Sequence, residues 1–205
     1  MEQFFAVAAA HFLALLIPGV DFLLIARSAV SSGWRTASGA CLGIALANGI
    51  FIAAAFSGLA LISHPTLLGL IQTAGGLFLI FIGAAFLRSS ARISVINEPA
   101  VPSNTWGKNL GLGFASGLLN PKNALFYVAL ASGLSSAGTG ELMLYGAWMF
   151  AVVLFWDLFV AVALGSDRAL AKLTRFLPWI TKAAGGFLVL LGTGMIFTLI
   201  VGLVR

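Results

Sequence analysis

Charged side chains are scarce in this chain: Asp, Glu, Lys and Arg make up 8% of its 205 residues, against a hydrophobic share of 60%. A soluble domain carries about a quarter charged residues, so the composition excludes a water-facing surface and assigns the protein to a lipid bilayer. A single cysteine, Cys41, excludes an internal disulfide and any multi-cysteine metal site. Only two histidines are present, His11 and His64, far apart in sequence. No metal and no other cofactor is expected. Walker, dinucleotide-binding, zinc-protease and nucleophile-elbow motifs are missing too, which leaves no familiar enzyme site.

What is present is a series of long apolar runs. Residues 36–87 contain no Asp, Glu, Lys or Arg, enough for two helical spans at ~20 residues each. Over the whole chain six spans emerge, near 3–26, 39–62, 66–87, 109–134, 142–165 and 183–204. At 1.5 Å per residue each reaches ~33–39 Å, sufficient to cross the hydrocarbon core with some tilt. The leader Met1-Glu2-Gln3 has an acid where a signal peptide carries Lys or Arg, so the first span is read as part of the mature protein.

The basic residues orient the chain. Arg27 and Arg35 follow span 1, Arg88, Arg92 and Lys108 follow span 3, and Arg168, Lys172, Arg175 and Lys182 follow span 5, nine of the eleven in all. The positive-inside rule puts these three loops in the cytoplasm and both termini outside. The formal charge of +5 thereby reflects topology and attraction to anionic lipid, not a nucleic-acid partner. Trp34, Trp106 and Trp179 fall near the cytoplasmic boundaries, where indole rings anchor a protein at the interface.

The polar stretch 88–108, with Pro99 and Pro102, reads as a cytoplasmic linker between two groups of three spans, 1–87 and 109–205. The groups share local sequence. Pro18 in span 1 is in register with Pro121 in span 4, and Ala74-Gly75-Gly76 in span 3 with Ala184-Gly185-Gly186 in span 6. Because each group has three spans, the second runs oppositely through the membrane. The expected fold is therefore an all-α integral membrane protein of six transmembrane helices, built as two inverted three-helix repeats.

Inverted repeats bind their solute near the midplane, at interrupted helices in corresponding positions. Pro18-Gly19 should open span 1. Asn120-Pro121 reads as a helix restart with Asn120 as N-cap, which would direct backbone N–H groups and a positive helix end at a cavity. Charges stand beside both breaks: Asp21 after Pro18-Gly19, and Lys122 after Pro121. A charge at mid-bilayer costs ~2.5–3.5 kcal/mol on insertion scales and marks a functional site by default, although a salt bridge holding the halves together would use the same pair. Asp157 lies deep in span 5 with no break beside it. Asn48 in span 2 would line the cavity or bond a carbonyl across helices. His11, seven residues before Pro18, would bond a neighbouring helix or relay protons. Gly39 and Gly43, like Gly113 and Gly117, give small residues four apart for close helix packing.

With Pro18-Gly19-Val20-Asp21 in span 1 and Asn120-Pro121-Lys122-Asn123 in span 4, the sequence resembles the lysine exporter superfamily, in particular its threonine/homoserine exporter (LysE/RhtB type) branch. The resemblance covers essentially the whole chain. Two positions depart from the family's PGPD and NPK signatures: Val20 replaces the second proline, and Asn123 stands where Ala is frequent. The resemblance implies a secondary exporter, not an enzyme, that moves amino acids or related metabolites across the bacterial inner membrane in exchange for protons. Lys122 and the helix end at Asn120 would then meet a substrate carboxylate, with Asp21 taking an ammonium group or the coupling proton. Rival readings are a divalent-metal exporter of a related branch, for which the acids are too few, and a membrane scaffold, which needs no paired intramembrane charges. Association of several copies is compatible with the sequence.

Overall fold

The computed structural model describes residues 2–17, 19–61, 64–88, 105–134, 137–164 and 167–204, which are overwhelmingly helical. The order is α1 (Glu2–Leu15), α2 (Val20–Leu61), α3 (Pro65–Arg88), α4 (Trp106–Leu118), α5 (Pro121–Ser132), α6 (Thr139–Leu164) and α7 (Asp167–Val204). Among the described residues four stretches are long and apolar enough to cross a membrane: Val20–Gly58, Thr66–Arg88, Thr139–Leu164 and Pro178–Gly202. Large apolar side chains such as Phe81, Phe155 and Leu190 lie exposed on the outside, the surface that lipid solvates.

α2 is not one rod. Its 42 residues would run ~63 Å as a straight helix, about twice the hydrocarbon core. Its register against α4 shows a reversal instead. Asp21 meets Ser116 and Ser28 meets Asn109, so the arm before Gly33 runs antiparallel to α4. Gly39 lies against Trp106, Gly43 against Leu110 and Gly117 against Ala47, so the arm after Gly33 runs parallel to it. The turn is made at Gly33, with φ 79° and ψ 158°, a conformation open essentially to glycine alone. This corrects the connection expected between 26 and 39: both flanks of Gly33 are helical there, and Arg27 is half-buried in the first arm.

Two other connections are also shorter than the sequence suggested. α3 continues through Arg88 and α4 starts at Trp106 behind the N-cap Thr105, whose side chain accepts from the Lys108 N–H; residues 89–104 of the expected linker lie outside the described residues. The basic stretch before span 6 is helical from Asp167 onward, with Pro178 inside α7.

Small residues let the helices touch. A Cβ on Gly113 would stand 2.8 Å from Ala40 Cα and press on the Ala40 carbonyl, and one on Gly43 would stand 2.6 Å from Phe114 N. α3 and α7 cross antiparallel in the same manner, with Gly83 against Gly185 and Gly76 against Gly192. Overpacking of a close contact costs about 1–3 kcal/mol, so Gly113→Val should lower the detergent-solubilised protein's unfolding free energy by that amount. Gly111→Val, at a glycine with nothing within 4 Å, is the control and should cost little. Equal losses in the two variants would show that the α2–α4 contact is not what the glycine serves.

Apolar side chains gather in two clusters. One draws Val7, Leu79, Leu130, Met149 and Leu188 from α1, α3, α5, α6 and α7. The other joins both arms of α2 to α6 through Ile25, Cys41, Ile44, Val153 and Val160. A cavity lies at their junction, walled by Phe126 and Leu188 from the first and by Phe22, Ile44 and Val153 from the second.

Candidate functional site

Both helix interruptions open onto this cavity. The chain leaves helix over Leu16, Ile17 and Gly19 before α2 begins at Val20, and again at Leu119 and Asn120 before α5 begins at Pro121. Pro18 lies outside the described residues. The restart at α5 has the predicted form: Asn120 is extended (φ −83°, ψ 102°), its side chain caps the Lys122 N–H at 3.1 Å, and Pro121 holds the first helical position, where a missing N–H costs nothing.

That cap has a consequence the sequence did not reveal. The Asn120 carbonyl accepts from the Asn123 and Ala124 N–H groups at 3.1 and 3.5 Å, while its side chain takes that of Lys122. The expected free N–H donors at this helix end are therefore already occupied by Asn120 itself. What remains for an anion is the Lys122 ammonium group. Its Nζ lies 3.4 Å from where a Cβ on Gly19 would stand, at contact distance, so the lysine of one interruption packs beside the glycine of the other. The ring of Phe86 lies 6.0 Å from Nζ, at the edge of cation–π range.

Asp21, in the first turn of α2, is held from across the interface. Ser116 Oγ donates to its Oδ1 at 2.6 Å, and the Asn123 and Asn120 side-chain amides donate to its Oδ2 at 3.0 and 3.4 Å. An ionised carboxylate has about four acceptor positions, and three are in use. Among the described residues no ion pair within 4.0 Å joins Asp21 to Lys122, although both line the cavity. Thus the two charges beside the breaks meet in space without neutralising each other by contact.

The remaining expected residues are brought to the same place. Asp157, from α6, lines the cavity, 7% exposed, and its Oδ2 has no hydrogen-bond partner among the described residues. Asn48 lines it too, but its amide bonds the Ile44 carbonyl at 2.8 Å within its own helix, a correction to the expected bond across helices. His11 bonds a neighbouring helix as expected, Nε2 to the Tyr127 hydroxyl at 3.2 Å. Ser116 and Tyr127 were not singled out from sequence. Their signal was spacing: Asn109, Ser116, Asn120, Asn123 and Tyr127 recur at helical intervals of three, four and seven, one polar seam facing Asp21 and Ser28.

The cavity measures about 60 Å³, room for a few waters. A larger groove of about 630 Å³ lies between α2 and α6, but its lining, from Gly49 and Phe56 to Leu142 and Phe150, contains no charged side chain. Among the described residues no three of His, Cys, Asp and Glu come together as metal ligands would.

A charge-lined cavity between interrupted helices agrees with what the sequence matches. The model of the LysE type translocator family aligns with residues 12–198. The chain belongs to this family. Like other LysE type translocators it is a multi-pass protein of the bacterial inner membrane and a transporter, not an enzyme. It is 28% identical over 201 residues to the threonine efflux protein of Escherichia coli (strain K12), covering 95% of this chain and 98% of that one. It is 28% identical over 191 residues to the threonine efflux protein of Salmonella typhimurium (strain LT2), with 91% and 92% covered. The leucine efflux protein of Enterobacter sp. (strain 638) is 26% identical over 207 residues, with 98% and 92% covered. No solved structure matches this translocator.

Proposed function

We propose that the protein exports a zwitterionic amino acid from the bacterial cytoplasm in exchange for a proton. The observation that carries this reading is the meeting of two helix interruptions at one cavity, lined by Lys122 and Asp21 without an ion pair between them. Relatives named for threonine and leucine efflux support an amino acid as the solute. In this reading Lys122 Nζ receives the substrate carboxylate at the positive end of α5. Asp21, bonded by Ser116, Asn120 and Asn123, keeps the interruption of the first half docked on that of the second and supplies the balancing charge.

The architecture would be two inverted repeats of three spans, 1–87 and 109–205, with both termini periplasmic and the polar linker cytoplasmic. Three packing features support it. α1 runs beside α6, with Phe4 on Tyr145 and Phe12 on Trp156, as α4 runs beside the second arm of α2, parallel in both cases. α3 and α7 cross with Gly76 on Gly192 and Gly83 on Gly185, a pattern that survives exchanging the two helices to within one residue. The reversal at Gly33 supplies the turn between the first two spans. A cavity of about 60 Å³ must widen to admit an amino acid, which suits a repeat-against-repeat rocking motion.

The test is uptake of a panel of labelled amino acids by inverted membrane vesicles, whose lumen corresponds to the periplasm. Threonine, leucine or another neutral amino acid should accumulate only when the chain is present, and an acidic lumen should drive it. A cysteine placed at Lys172 should react with an impermeant thiol reagent in these vesicles and not in intact cells. Absence of chain-dependent uptake across the whole panel would overturn the export reading.

A further inference from the structure

The cavity contains a second carboxyl group whose surroundings are the opposite of those of Asp21. Asp157 is 7% exposed and makes no ion pair, and its Oδ2 lacks any hydrogen-bond partner among the described residues, whereas Asp21 takes three donors. An isolated ionised carboxylate in an apolar setting is very costly, so this side chain calls for a cationic or proton partner. The groups that face the cavity with it are His11 from α1, Asp21 from the first arm of α2, and Lys122 and Tyr127 from α5; α3 and α7 contribute only apolar side chains such as Ile82, Phe86 and Leu188. Cys41, on the second arm of α2, is buried and bonded to the Ala37 carbonyl. His11 and Tyr127 bond each other, and Lys122 lies against Gly19. Among the described residues no fixed cation is therefore paired with Asp157. The same wall presents the rings of Trp156, Phe126 and Tyr127, and aromatic faces attract ammonium groups.

We propose that Asp157 is the cation-accepting pole of the site, taking the substrate's ammonium group in one half of the cycle and a proton in the other. This rests on the export reading and adds to it the residue that couples the two fluxes. One carboxyl group cannot hold both cations, so each zwitterion released outward leaves Asp157 to take up one proton, which is lost to the cytoplasm when the next ammonium group binds. With Lys122 on the carboxylate, the two poles select α-amino acids over compounds that lack either charge.

The experiment uses the full-length protein in proteoliposomes, with L-threonine, L-leucine and their 2-hydroxy-acid analogues, in which a hydroxyl replaces the ammonium group. The wild-type chain should prefer the amino acids, with affinity falling as pH falls because protons compete for Asp157. Asp157→Asn should weaken amino-acid binding about tenfold or more, leave hydroxy-acid binding within about twofold and flatten the pH profile. Asp157→Glu should restore the preference in part. Retained hydroxy-acid binding shows that the variant is folded. Undiminished discrimination in Asp157→Asn, or loss of amino acid and hydroxy acid by the same factor, would overturn the assignment while leaving export intact. Failure of the wild-type chain to move any amino acid would instead overturn the export reading, and this assignment with it.

Discussion

Lys122→Met is expected to leave the protein folded and to weaken amino-acid binding by about 30- to 1000-fold, the equivalent of ~2–4 kcal/mol for losing one partner of a buried charge pair. The fold survives because Lys122 Nζ makes no ion pair or hydrogen bond with the described residues; its neighbours are Gly19 and the Phe86 ring, which a methionine side chain of similar length fills equally well. Affinity falls because the backbone donors at this helix end are engaged by Asn120 and cannot replace the ammonium group. The check is a cycle that pairs this substitution with a substrate whose carboxylate is converted to an amide. If the side chain and the carboxylate meet, the second change costs almost nothing once the first is made. Additive losses would remove Lys122 from the substrate. A structural ion pair with Asp21 predicts the reverse pattern, namely a destabilised Lys122→Met that recovers when Asp21→Asn is added.

Much of this site was legible in the sequence because its determinants are local. Proline next to glycine or asparagine disrupts a helix wherever it falls, so the interruptions at Leu16, Ile17 and Gly19 and at Leu119 and Asn120, and the capping role of Asn120, followed from residue chemistry alone. The glycines four apart announced close helix packing for the same reason, but not that the pair in α2 would meet the pair in α4. What escaped depends on partners distant in sequence. Residues 27–38, with two arginines and four serines, read as a polar connection, yet only Gly33 leaves helical geometry, since arginine and serine are compatible with a helix whether packed, as Arg27 and Ser28 are, or exposed, as Ser31 and Arg35 are. The polar seam from Asn109 to Tyr127 was obscured by the break that runs through it. The hydrogen bonds to Asp21 and their absence at Asp157 are matters of tertiary position, and no periodicity distinguishes two aspartates in apolar runs. Asn123 illustrates the boundary: its departure from the family signature was visible, but that it hands Asp21 a third donor was not.

The two aspartates should consequently respond in opposite ways to losing their charge. Asp21→Ala removes the acceptor for the Ser116 hydroxyl and the Asn120 and Asn123 amides, which sit half-buried or buried between α2 and the α4–α5 interruption. Each donor left unmade in a buried setting costs ~1–3 kcal/mol, and water from the cavity recovers part of this, so a net loss of about 3 kcal/mol in unfolding free energy is expected, together with loss of transport as the interruptions separate. Asp157→Asn puts a neutral amide of nearly the same shape where a buried carboxyl has an oxygen without a partner among the described residues, and a neutral group costs less to bury than one that must ionise; its stability should equal or exceed that of the wild-type protein while coupled export is lost. Denaturant unfolding of both variants in the same detergent provides the comparison. An Asp21→Ala protein as stable as the wild type would mean that the three hydrogen bonds do not hold the halves together. A destabilised Asp157→Asn protein would mean that its carboxyl serves the fold, and the division between an aspartate that docks the halves and one that exchanges cations would have to be given up.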